Sequence, residues 1–279
     1  MKTNLRRRVA SSPFGRGAAL PTRTMAVARY DARLIGRSID WLVHERERHN
    51  FSYDLEDRNL EQLAWFVAAV TGAEIGQVRA WMEELEKDED LIKALTERLS
   101  ANPFRSVQPT EPHWGRRAGW YALIRATEPE LVVETGTHMG LGSCIIAAAL
   151  LRNGHGRLTT IDVDSDSGYL ITEPWASVVD SRIGSSVDEL ASLRDVGMFL
   201  HDSLFTYDFE TAELAAVAPN LLPGAIVLSD NARCNPGVSA LSDWAERTGR
   251  HYLYFKEQPR DHWWPGDGVG AAWAQVRAK

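Results

Sequence analysis

The chain has 279 residues, 44% hydrophobic and 25% charged, with a formal net charge of −7. That is a globular composition, with length for one sizeable core plus an accessory segment. No apolar run approaches the about 18 residues that a membrane-crossing helix needs, and the acidic balance excludes broad nucleic-acid binding.

Charge is unevenly spread along the chain. Residues 1–30 hold seven basic side chains and no acid, and the remainder holds 24 basic against 38 acidic side chains. The basic arm lacks the continuous apolar core of a secretory signal. It reads as a disordered leader, with Met25 as an alternative start. Residues 31–111 read as a helical cap that packs or dimerises. Leu34, Ile35, Ile39, Leu42 and Val43 share one helical face. So do Leu60, Leu63, Phe66, Val67 and Val70, then Ile75, Val78, Met82 and Leu85, then Leu91, Leu95 and Leu99. Prolines at 103 and 112 break the pattern.

From residue 112 the pattern alternates. Helices are predicted over 120–126, 144–151, 187–194, 209–218 and 238–248. Short buried strands are predicted over 131–134, 158–162, 181–184, 197–201 and 225–230, with 252–256 and 268–273 closing the sheet as a hairpin-like pair. Strand–helix alternation predicts an α/β fold with a doubly wound, mostly parallel sheet, behind an N-terminal helical segment. Ligands of such sheets sit beyond the carboxyl ends of the strands. Cys144 and Cys234 have no metal-finger spacing and read as reduced core thiols, as in a cytoplasmic protein.

The strand ends carry the chemistry. Leu131-Val-Val-Glu-Thr-Gly-Thr-His-Met-Gly-Leu-Gly-Ser143 reads as strand, glycine loop and helix. Its glycines, Gly136, Gly140 and Gly142, have neither dinucleotide spacing nor a phosphate-loop lysine. Glu134, placed before them, would repel a pyrophosphate but pair with an ammonium group. Asp162 ends the second strand, where a carboxylate can accept both ribose hydroxyls. His201 and Asp202 follow the fourth strand, and Asp230 and Asn231 the fifth.

These residues resemble class I S-adenosylmethionine-dependent methyltransferases over about residues 114–279. The 134–140 segment resembles the first motif of small-molecule O-methyltransferases of the catechol type. The resemblance implies a Rossmann-like methyltransferase fold. It implies a cofactor site of Glu134, Gly136, Thr137, Gly140, Gly142 and Asp162, with Ser185 and Ser186 near adenine. It also implies a magnesium ion held by Asp202, Asp230 and Asn231. In that family an aspartate stands where this chain has His201, and a lysine where it has Leu204. The departures fit better with a looser bacterial group, similar to macrocin O-methyltransferases of antibiotic pathways, where an aspartate near this point binds metal and serves as base.

The expected function is methyl transfer to a hydroxyl of a small metabolite, with a divalent cation lowering the hydroxyl pKa. The alternatives are a metal-independent enzyme with His201 or Asp202 as catalytic base, a nitrogen acceptor, or a nucleotide-binding module without chemistry. Trp263 and Trp264 are candidates for an aromatic wall over the substrate. No nucleic acid or membrane partner is expected; a homo-oligomer is.

Overall fold

The structure, a computed structural model, describes residues 15–45, 52–103, 105–230 and 239–274. The described residues fall into two compact units: residues 15–45 with Asp261–Trp264, and the rest.

The first unit is built on one helix, α1 (Gly15–His44). It begins inside the stretch expected to be a disordered leader. Residues 18–20 and 25–28 are mostly Ala, Leu and Met, whose helix propensity offsets the missing apolar periodicity. The expected stripe is present but is not covered: Ile35, Ile39, Leu42 and Val43 are exposed, Leu42 at 72%. Trp41 packs edge-on against His262 and Trp263, with ring centroids 6.1 and 5.6 Å apart. Trp263 and Trp264 thus belong to the same unit as α1.

The second unit contains helices α2 (Asp57–Thr71), α3 (Ile75–Glu86) and α4 (Glu89–Ala101) together with the α/β body. The division therefore falls after residue 45 rather than at 111. The reason is packing across the sequence. Asn59 donates to the carbonyl of Lys256 and accepts from the Gln258 amide, and Phe66 packs on Phe255. The apolar faces of the three helices are buried as their periodicity predicts. Gly72 ends α2 in the left-handed region at φ 77°, and Asp88 caps α4 by accepting from the Leu91 amide.

The body runs α5 (Arg117–Thr127), β1 (Leu131–Thr135), α6 (Leu141–Asn153), β2 (Arg157–Asp162), β3 (Val179–Ile183), α7 (Ser186–Ser192), β4 (Val196–His201), α8 (Tyr207–Val217), β5 (Leu221–Ser229), α9 (Leu241–Thr248), β6 (His251–Lys256) and β7 (Gly268–Trp273). The strand order is β3-β2-β1-β4-β5-β7-β6. β7 runs antiparallel to β5 and β6, and the other pairs are parallel. This is a doubly wound, Rossmann-like sheet whose last strand is inserted antiparallel. β1 is buried along its whole length and α6 on nearly every side, which explains their unbroken apolar runs. The strand order switches direction between β1 and β4, and the crevice at that switch point is where this fold class places ligands. Among the described residues no helix is long and apolar enough to cross a membrane.

Candidate active site

The loop after β1 is shaped by close approaches. Gly136 has φ 91°, and a Cβ there would fall 2.1 Å from the carbonyl oxygen of Asp202. Only glycine lets the ends of β1 and β4 come this near. Gly140, also at φ 91°, is the N-cap residue of α6. A Cβ on Gly142 would fall 2.7 Å from Glu134 Oε1 and 3.0 Å from Trp120 Cζ3. The first turn of α6 is therefore wedged against Glu134 and the Trp120 ring.

Glu134 is buried at the end of β1. Its Oε2 accepts hydrogen bonds from Thr160 Oγ1, at 2.7 Å, and from Ser143 Oγ. Among the described residues Oε1 has no hydrogen-bond partner. Burial raises the carboxyl to about 7 against the pull of the two hydroxyls. Thr137 turns its hydroxyl inward to Thr160, 2.7 Å away. Asp162 accepts the amides of His138, at 2.8 Å, and Asp164, at 3.0 Å, so it braces the glycine loop from the end of β2.

Ser185 caps α7 through the Asp188 amide, whereas Ser186 donates its hydroxyl to Glu213 on α8. Glu213 is a hub. It also takes hydrogen bonds from Thr135 Oγ1 at 2.8 Å and Ser203 Oγ at 2.9 Å, and pairs with His201 Nδ1 at 2.6 Å. Burial alone would raise its pKa, but His201 and the hydroxyls hold it below the ordinary value. One carboxylate thus ties together the ends of β1 and β4 and the start of α7. His201, 1% exposed, turns Nδ1 to Glu213 on α8, so its imidazole is in a position to orient that carboxylate.

Asp202 and Asp230 do converge, as expected, closely enough for each carboxyl to shift the other's titration. The company they keep is different. Both oxygens of Asp230 accept from the Arg116 guanidinium. Arg116 also donates to Glu257 Oε2 at 2.7 Å, which accepts from the Tyr53 hydroxyl at 3.0 Å as well. The Arg116 and Asp230 side chains are 8% and 1% exposed. Burial alone would raise Asp230, and Arg116 outweighs it to hold the carboxyl below its ordinary value. Burial and the neighbouring Asp230 charge push Asp202, which is half-buried, well up.

This arrangement does not fit a magnesium ligand set. A guanidinium already takes both oxygens of Asp230, and no group of three His, Cys, Asp or Glu among the described residues is placed to hold a metal ion. Asn231, the third expected ligand, lies outside the described residues, as does Cys234.

Sequence reasoning missed Arg116, Arg117, Glu213 and Glu257. The adjacent arginines ahead of a wholly apolar helix were a usable signal for the first two. The two glutamates stand at positions that read as ordinary polar sites.

Residues 133–232, from β1 to the end of β5, match the family model described as a methyltransferase domain. No curated protein matches the chain. Among solved structures, the O-methyltransferase TomG of Streptomyces achromogenes, involved in tomaymycin synthesis and solved with SAM, is 21% identical; the match covers 67% of this chain and 90% of that one at a TM-score of 0.47. An O-methyltransferase of Bacillus cereus, solved with SAH, is 18% identical over 71% and 100%, at 0.47. A methyltransferase of Geobacter sulfurreducens is 19% identical over 71% and 96%, at 0.48. The methyltransferase domain match spans the glycine loop, Asp162, Asp202 and Asp230.

Proposed function

We propose that this protein methylates a hydroxyl of a small metabolite with S-adenosylmethionine, with Asp202 as base and Arg116 as the fixed cation beside it. The observation that carries the metal-free form of this reading is the double hydrogen bond from Arg116 to Asp230. The cofactor reading is supported by the methyltransferase domain match and by a buried acid with an open oxygen beside a glycine loop. S-adenosylmethionine supplies a methyl group activated on a sulfonium sulfur. Asp202, once ionised, would take the proton of the acceptor hydroxyl as that oxygen accepts the methyl group. A carboxyl with a raised pKa is the stronger base once ionised, which suits proton removal near neutral pH. Arg116 and Asp230 hold Asp202 in place and balance its charge. Leu204 and Phe205 follow Asp202 and are exposed, an apolar rim that favours an acceptor with an apolar body.

Mass-spectrometric detection of methyl transfer across a panel of hydroxylated metabolites tests the reading. Turnover should persist in excess chelator. Asp202→Asn should lower kcat by about 10²- to 10⁴-fold, the usual contribution of a general base, and leave S-adenosylhomocysteine affinity unchanged. Absence of cofactor binding would reject the cofactor reading. Loss of activity in chelator, restored by magnesium, would reject the metal-free form.

A further inference from the structure

The uncovered side of α1 has a definite chemistry. Ile35, Ile39, Leu42 and Val43 recur at steps of three and four residues and so line one side of the helix. All four are exposed, Ile35 and Ile39 at 56%, Leu42 at 72% and Val43 at 68%. A single exposed leucine is ordinary, whereas a contiguous row marks a contact surface. Arg29, Arg33 and Arg37 follow one another at four-residue steps on the opposite side, with Arg29 and Arg37 at its two borders with the apolar row. Arg37 lies 4.0 Å from Asp261, and Arg29 and Arg33 form no ion pair with a described residue. The sequence around them carries the same bias. Residues 1–44 hold nine basic side chains against two acids, and the rest of the chain holds 22 against 36.

We propose that α1 is a docking surface for an anionic lipid bilayer. It would lie in the interface, with the apolar row among the acyl chains and the arginines at the phosphates. Charge complementarity selects this occupant. A second copy laid along α1 would bring another segment of the same positive sign, whereas anionic headgroups offset the arginines. The border arginines can run their alkyl stems along the apolar row and carry their guanidinium groups up to the headgroups. The helix lies on the bilayer and not through it, since no described helix is long and apolar enough to cross. The sequence pointed away from a membrane because it has no spanning run and because the basic arm reads as disordered. The structure joins part of that arm to the apolar row in one helix. The proposal is independent of the cofactor reading.

Co-sedimentation of the full chain with vesicles tests it. Vesicles of phosphatidylcholine with about 30% phosphatidylserine should bind at least about tenfold more tightly than vesicles of phosphatidylcholine alone, and added salt should weaken the difference. Ile39→Asp should lower partitioning by on the order of 10- to 100-fold, the scale of losing one buried isoleucine. Arg29→Gln combined with Arg33→Gln should lower it by on the order of 10-fold on the anionic vesicles and leave the neutral ones unchanged. The replaced side chains are exposed, so melting temperatures should match the wild type; should that of Ile39→Asp fall, Leu42→Ser is the reporter. Absence of co-sedimentation would overturn the proposal, as would equal binding to the two kinds of vesicle or wild-type binding by Ile39→Asp. Light scattering without vesicles supplies the remaining arm. A dimer that Ile39→Asp dissociates would assign the face to a second copy and overturn the proposal as well.

Discussion

The clusters around Arg116 and Arg117 start from neighbouring residues of the same type and differ in how their hydrogen-bonding capacity is used. Around Arg116, polar groups come from four distant segments and close on each other: Tyr53, Arg116, Asp230 and Glu257. Around Arg117, the guanidinium lies over the Trp120 ring with its Nε buried and unpartnered, and Glu134 Oε1 lies with that ring against Gly142 of the glycine loop. The first pattern is a finished scaffold and the second leaves capacity unused. How far a guanidinium is committed to structure depends on whether its partners are built in.

The contrast breaks first at Arg116. Arg116→Met leaves Asp230 and Glu257 as uncompensated buried charges. The expected loss is about 3–5 kcal/mol of stability, a fall in melting temperature on the order of 10 °C for a chain of this size. Adding Asp230→Asn should recover part of the fall. Arg117→Met, which strands no buried carboxylate, should cost under about 1 kcal/mol by the same calorimetric scan. Similar losses for the two variants would erase the distinction.

A middling effect is expected from pH. The Glu134 carboxyl stands near 7 in the folded protein, against an ordinary value of 4.5. Between those values the folded chain holds a proton that the unfolded chain has released, so stability of the ligand-free protein falls as pH rises through that window. A bound ammonium favours the ionised form, so the sign reverses for binding. S-adenosylhomocysteine affinity should drop by up to about tenfold per pH unit below 7 and level off above it. Glu134→Gln should flatten the profile. A wild-type profile flat from pH 5.5 to 8 would show that Glu134 does not meet the ammonium.

The smallest effect is expected on α1. Leu42 is exposed, so Leu42→Ser should shift stability by no more than about 0.5 kcal/mol. A larger fall in melting temperature, dependent on protein concentration, would show that a second copy covers this face.

Much of the fold was legible because its signals are local. Five parallel strands and their helices announce themselves as short apolar runs between periodic stretches, and the loop after β1 as an acid followed by spaced glycines. The convergence of Asp202 on Asp230 was legible too, since topology places the ends of β4 and β5 side by side. The role of that pair was not. The sequence shows two acids at strand ends, which invites a metal ion, and gives no sign that Arg116 lies against one of them 114 positions away. His201 is a like case. Its place at a strand end is visible, but the face it turns toward is set by Glu213 on α8.

The sequence by itself determined the elements, their alternation and the chemistry available at the carboxyl edge of the sheet. Backbone propensity, apolar period and glycine placement act within a few residues, so one stretch of chain carries the whole instruction. Only the tertiary structure decided which charges are spent on each other and which are not. Arg116 and Arg117 have the same side chain and nearly the same sequence context. They part because one step along α5 turns one guanidinium toward Asp230 and Glu257 and lays the other over Trp120. Charge compensation is a matter of distance in space, and spatial neighbours more than a hundred residues apart are fixed only when the sheet and helices pack.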